Sequence, residues 1–209
     1  MAPFDIALLI AAGPAGILAA RAAAAWPNWR AALAPAGVQR EVGVGLLMIA
    51  AATLSVFGLP SPWALAGVGL AVVLLFAALV DLRTHLIPDV ASIGLTAAGL
   101  AFAFWQGGVE TLSVHALAAA VGFCAFWAIG ALYHRWRNVD GLGLGDAKLL
   151  AAGGAWCGLT GLAWIVCAGA FVTLLFAWRR PGAAPFAPGL AAAIFGVWWL
   201  GPSGLGAFG

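Results

Sequence analysis

Long apolar stretches separated by short polar joints dominate this chain. Runs at 4–25, 42–59, 62–80, 90–107, 112–133, 159–178 and 184–203 each fall near the roughly 17–25 residues that a helix needs to cross a hydrocarbon core about 30 Å thick. A further apolar piece, AKLLAAGGAWCG at 147–158, is shorter. By length alone it is either a half-span or a helix lying at the membrane surface. Soluble-domain composition, a long linker and a repeat period are all missing from the pattern. The abundance of alanine and glycine suits close helix–helix contact instead. The pattern predicts an all-α, polytopic membrane helix bundle forming a single domain over residues 1–209.

Composition excludes the alternatives. Hydrophobic residues make up 65% of the chain and charged residues 8%, against about 25% charged in soluble domains. Nine basic and seven acidic residues cannot solvate the surface of such a protein, so that surface faces lipid. The same hydrophobicity excludes disorder. A net charge of +2 gives no footprint for nucleic acid. Cys124, Cys157 and Cys167 lie in apolar runs without CxxC spacing, and read as small core residues rather than a disulfide or zinc framework.

The basic residues orient the bundle. The N-terminal run carries Asp5 and no Lys or Arg before Arg21, which fits a retained span, N-terminus outside, better than a cleaved signal. Arg21, Arg30 and Arg40 flank the first connection, Arg83 lies in the 81–89 connection, and Arg135, Arg137 and Lys148 flank a third. Placing these connections in the cytoplasm satisfies the preference of Lys and Arg for that side. Arg179 and Arg180 join them only if the chain crosses twice between 146 and 178, turning near Gly158-Leu159-Thr160-Gly161. The expectation is therefore about eight spans with both termini outside. Seven spans is the alternative if 147–158 lies on the surface. Trp26, Trp29, Trp136 and Trp178 read as interface-belt aromatics.

Once topology has absorbed the basic residues, the acids become informative. Asp5, Asp89, Asp140, Glu41 and Glu110 read as boundary or loop residues. Asp81 directly follows the run AVVLLFAALV, and Asp146 ends GLGLGD and opens KLLAAGGAWCG. Both fall at membrane boundaries on the same expected side, 65 positions apart. A carboxylate near lipid is costly and marks function. Two that meet cannot both ionise easily, so one holds a proton. One can then act as general base on a water and the other as general acid. Asp146 at the start of a helix is the expected base, and Asp81 near the end of one, close to Pro88, is the expected proton holder. Gly141, Gly143 and Gly145 leave room for a substrate strand to approach the backbone. His85 reads as an interfacial residue.

Together, D-x-R-x-x-x-I-P-D at 81–89 and G-x-G-D-A-K-L-L at 143–150 closely resemble the motifs of the type IV prepilin peptidase family of membrane aspartic proteases. A third element agrees: Pro185-Phe186-Ala187-Pro188 resembles that family's P-F-G-P, with Ala187 in place of glycine. The resemblance covers about residues 42–203, the expected catalytic core. It implies that Asp81 and Asp146 are the catalytic pair. It also implies a cytoplasmic-face site in the bacterial inner membrane that cleaves the basic leader of type IV pilin-like or pseudopilin precursors just ahead of their apolar helix. Gly143, Gly145, Lys148, Arg83, Pro185, Phe186 and Pro188 become candidates for positioning the substrate.

One departure changes the implied activity. Longer family members carry a cytoplasmic cysteine-rich insert and also N-methylate the new terminus. The 26–41 connection here, WPNWRAALAPAGVQRE, has no cysteine, and no G-x-G-x-x-G loop suggests an S-adenosylmethionine site. The expectation is a short, peptidase-only form using no cofactor and no metal. Two other classes use the same residues: an inactive assembly subunit that keeps the fold, and a small proton-coupled transporter. The transporter predicts acids near mid-span and internal symmetry, and the acids here stand at span ends.

Overall fold

The computed structural model describes residues 11–19, 21–22, 47, 50–51, 53, 55, 61–138, 142–179 and 186–201. Half of the expected span at 4–25 and most of that at 42–59 fall outside these residues, as do Trp26, Trp29, Arg30, Arg40, Glu41 and Asp140. The described chain is helical, with no strand among the described residues. Four long elements carry the architecture: α1 (Ser61–Thr84), α2 (Asp89–Arg137), α3 (Leu144–Arg179) and α4 (Ala187–Leu200).

Three of these helices are long and apolar enough to cross a membrane: Trp63–Leu82 in α1, Asp89–Arg137, and Leu144–Leu175 in α3. α4 is a shorter apolar helix. A straight α2 of 49 residues would be about 74 Å long, more than twice the hydrocarbon thickness. It is not straight. Gly107 and Gly108 leave helical geometry, and Gly108 takes φ 65, ψ −148, a region open essentially to glycine alone. The chain folds back there. Gly99, before the break, and Ala118, after it, both pack against the backbone at 154–155, although a straight helix would set them roughly 28 Å apart.

α3 breaks in the same way at Gly158, with φ 68 and ψ −173. Its two halves then pack on each other, so that a Cβ on Gly153 would stand 3.1 Å from Ile165 Cδ1. The break frees carbonyls of the preceding turn, and His115 Nδ1 lies 2.9 Å from Ala155 O. Glycine also permits the close helix crossings. A Cβ on Gly122 would stand 3.0 Å from Leu150 O. The bare face of Gly99 admits the Trp156 indole, whose Nε1–H donates to Leu95 O at 2.8 Å.

α3 is the hub, packed against α2 and α4, while α4 also packs on α1. The main core includes Leu74, Leu95, Phe126, Leu149, Ile165, Leu190 and Ile194. Apolar side chains also cover the outside: Phe104, Trp127, Trp136, Phe171 and Trp178 stand exposed, as lipid-facing positions would. The cysteines divide accordingly. Cys157 is buried, whereas Cys124 and Cys167 lie on the outer surface, which corrects the expectation that all three are core residues. A helix apolar on every face gives no periodic signal to separate its lipid side from its core side.

Candidate active site

The joint between α1 and α2 positions the first acid. Thr84 Oγ1 donates to Val80 O at 3.0 Å, and His85 donates its N–H to Asp81 O at 2.9 Å. His85 then takes a left-handed φ of 53, which ends α1 as such residues do at helix termini. Pro88 precedes α2 with an extended φ/ψ of −63 and 128, and its carbonyl accepts the N–H groups of Ala91 and Ser92. Asp81 sits one turn before the end of α1 and is only 6% exposed. Its Oδ2 accepts the backbone N–H of Ala187, the first residue of α4, at 3.3 Å. That N–H is one of the orphan donors of a helix start. Asp81 therefore lies between the C-terminal end of its own helix and the N-terminal end of another, a partner the sequence pattern did not reveal.

The second acid opens α3. Asp146 lies in the first turn, with its N–H and that of Ala147 both donated to Gly143 O at 3.1 and 3.4 Å. Its Oδ2 hangs over Gly143, 3.5 Å from where a Cβ would be. Asp146 is close enough to Asp81 to feel the charge of that carboxylate. The fold thus brings the two acids into one electrostatic neighbourhood, at helix ends on the same side of the bundle.

Two contacts join the turns that carry them. Gly145 faces Ile87 so closely that an added Cβ would stand 3.0 Å from Ile87 Cβ. Lys148 Nζ donates to Asp89 Oδ1 at 2.6 Å, with 25% and 63% of the two side chains exposed. Asp89 therefore departs from the boundary role its sequence position suggested, and Lys148 is already paired within the chain. The third motif closes the site from α4. Phe186 packs on Phe126 with ring centroids 6.0 Å apart, and Pro188 stands in the first turn of α4. Arg83 lies in the last turn of α1. Pro185 and Gly141 fall outside the described residues. Among the described residues, no group of three or more His, Cys, Asp or Glu side chains converges as a metal site would require. Chemically, two acids within electrostatic reach of each other suit proton transfer to and from a water.

Comparison with known proteins supplies relatives for this arrangement. The profile of the type IV leader peptidase family matches residues 68–178, which include Asp81 and Asp146. The chain is similar to the prepilin leader peptidase/N-methyltransferase of Burkholderia pseudomallei (strain K96243), 39% identical over 152 residues, covering 69% of this chain and 48% of that protein. The protein of the same description from Xanthomonas campestris pv. campestris is 37% identical over 134 residues, 58% of this chain and 45% of the relative. That of Neisseria gonorrhoeae is 30% identical over 148 residues, 68% and 51%. The chain spans about half the length of the curated relatives it matches. No solved structure matches.

Proposed function

The chain belongs to the type IV leader peptidase family, and from that premise we propose that it is a membrane aspartic endopeptidase whose acid–base pair is Asp81 and Asp146. Its substrates are type IV pilin-like or pseudopilin precursors, in keeping with the prepilin named in the descriptions of its relatives. The observation that carries the reading is that Asp81 and Asp146 lie within electrostatic reach of each other, beside a joint held by Gly145–Ile87 and Lys148–Asp89.

In the proposed reaction a water lies between the two carboxyl groups. One carboxyl group of the pair, ionised, takes a proton from the water as its oxygen attacks the scissile carbonyl. The other, protonated, gives its proton to the carbonyl oxygen, the shared proton belonging to the pair. Collapse of the tetrahedral intermediate breaks the C–N bond, and a proton returned by the pair leaves with the amine. The precursor's apolar stem lies in the bilayer and its basic leader in the cytoplasm, so a site at helix ends meets the peptide where those two parts join. Gly143 and the Phe186–Pro188 segment border the strand, whereas Gly145 packs on Ile87; Arg83 and Pro185 are candidates for holding the strand by their places in the sequence alone.

We place the protein in the bacterial inner membrane with eight spans, both termini outside and the site at the cytoplasmic face. The fold-back at Gly158 supports two crossings between 146 and 178, which put Arg179 and Arg180 on the side of Arg83 as the preference for cytoplasmic basic residues requires.

The test is co-expression with a tagged pilin-like precursor. Asp81→Ala and Asp146→Ala should each leave the precursor at full length while the protein still inserts. Undiminished processing by either variant would remove the pair.

A further inference from the structure

We propose that the Lys148–Asp89 ion pair is a positioning clamp that holds the Asp81-bearing and Asp146-bearing turns at a fixed separation. The proposal deepens, and rests on, the peptidase reading above. Lys148 lies two residues after Asp146, one turn in from the start of α3, and Asp89 lies eight residues after Asp81 as the first residue of α2. Their 2.6 Å contact therefore bridges the start of α3, which presents Asp146, and the start of α2, where the short joint that leaves α1 after Asp81 ends. A pair this exposed contributes little to folding, so stability gives it little purpose. Its geometry does.

The same joint holds a second contact of opposite character. Gly145 stands so near Ile87 that no Cβ fits between them without the neighbour giving way, and this contact limits how far the turns can approach. The ion pair stops them from separating. A steric stop and an ionic tether on one joint define a distance, and acid–base chemistry through a shared water depends on that distance. A displacement of about 1 Å in such a site can cost on the order of a hundredfold in rate. Lys148 thus acts through Asp89 on the dyad, and its ammonium is occupied rather than offered to the substrate. Both are positioning residues.

The experiment measures kcat and KM of the full chain on a synthetic precursor peptide for wild type, Lys148→Met, Asp89→Asn, Lys148→Arg and the charge exchange Asp89→Lys with Lys148→Asp. It also measures the distance between spin labels at Leu86→Cys and Leu144→Cys, two exposed positions on the two turns, with Cys124, Cys157 and Cys167 replaced by alanine. Each single charge removal should lower kcat roughly tenfold to a hundredfold with KM within about twofold, and should broaden the distance distribution. Lys148→Arg should retain most of kcat and the narrow distribution, and the exchange should recover part of both. Loss confined to KM without recovery by Lys148→Arg would mean that Lys148 binds substrate directly and would overturn the clamp. Unchanged kcat and distances in Lys148→Met would overturn it as well, with the peptidase reading intact. A wild-type chain that cleaves nothing while the distances still respond would sink the peptidase reading and leave the clamp standing.

Discussion

The backbone N–H of Ala187 donates to Oδ2 of Asp81 across 106 positions of sequence. The buried carboxylate is thereby fixed to the start of α4, and residue 187 is chosen for its N–H as well as its size. Ala187→Gly keeps the donor and should retain processing within about threefold, with a small loss of stability on the order of 1 kcal/mol for glycine in the helix. Ala187→Pro removes the donor and leaves a buried oxygen unpaired, at about 1–3 kcal/mol. It should lower processing by at least roughly tenfold. Cleavage of a tagged precursor in membranes holding equal amounts of each variant checks the order. Equal activity of the glycine and proline variants would show that the bond is incidental.

Gly145 and Gly143 are two residues apart in one motif yet meet different surroundings. A Cβ on Gly145 would press on Ile87 Cβ at 3.0 Å and Cγ1 at 3.3 Å, whereas one on Gly143 would make ordinary contact, 3.5 Å from Asp146 Oδ2. Neither has the left-handed φ that would forbid alanine. Gly145→Ala should therefore spread the joint and cost processing severely, and Gly143→Ala should cost less. Peptide cleavage rates for the purified variants give the ranking, and a reversed order would reject the steric reading of the joint.

Much of this was legible in the chain, and the limits have physical causes. Helix breaks at Gly107–Gly108 and Gly158 coincide with polar or glycine joints, because a helix apolar along its whole length can stop only where the backbone itself permits. Asp81 and Asp146 stood out because charge is so scarce. Asp89 was hidden for the same reason that Asp81 was visible: a residue just outside an apolar run looks like a solvated boundary, and its partner Lys148 lies 59 positions away. Ala187 could not be found by side-chain chemistry, since its contribution is a backbone N–H. The outward-facing Cys124 and Cys167 were indistinguishable from core residues, because alanine-rich helices lack an inner stripe.

Cleavage should follow a bell-shaped pH profile. At low pH both carboxyl groups are protonated and no base remains to take the water's proton. At high pH both are ionised and no acid remains to supply the carbonyl oxygen. Activity therefore rises through one apparent pKa and falls through another, and both belong to the pair rather than to either residue. Initial rates on a peptide without titrating groups near the scissile bond check this. A profile flat across the acidic and neutral range would show that the two groups do not share a proton.

Gly158 should be costly to replace even though nothing crowds it. Its φ of 68 with ψ of −173 lies where an L residue carries about 1–3 kcal/mol of strain, although no crowding stands in the way, since His115 is the nearest neighbour at 3.7 Å. Gly158→Ala should thus lower the midpoint of thermal unfolding in detergent through backbone strain alone. Gly69 supplies the contrast: it is helical, with ordinary φ and nothing within 4 Å of an added Cβ. Gly69→Ala should be neutral or stabilising by up to about 1 kcal/mol. If Gly158→Ala melted with wild type, α3 would not need the glycine-only turn at 158. The fold-back that lets residues 144–157 and 159–179 pack against each other would then have to be built on another residue.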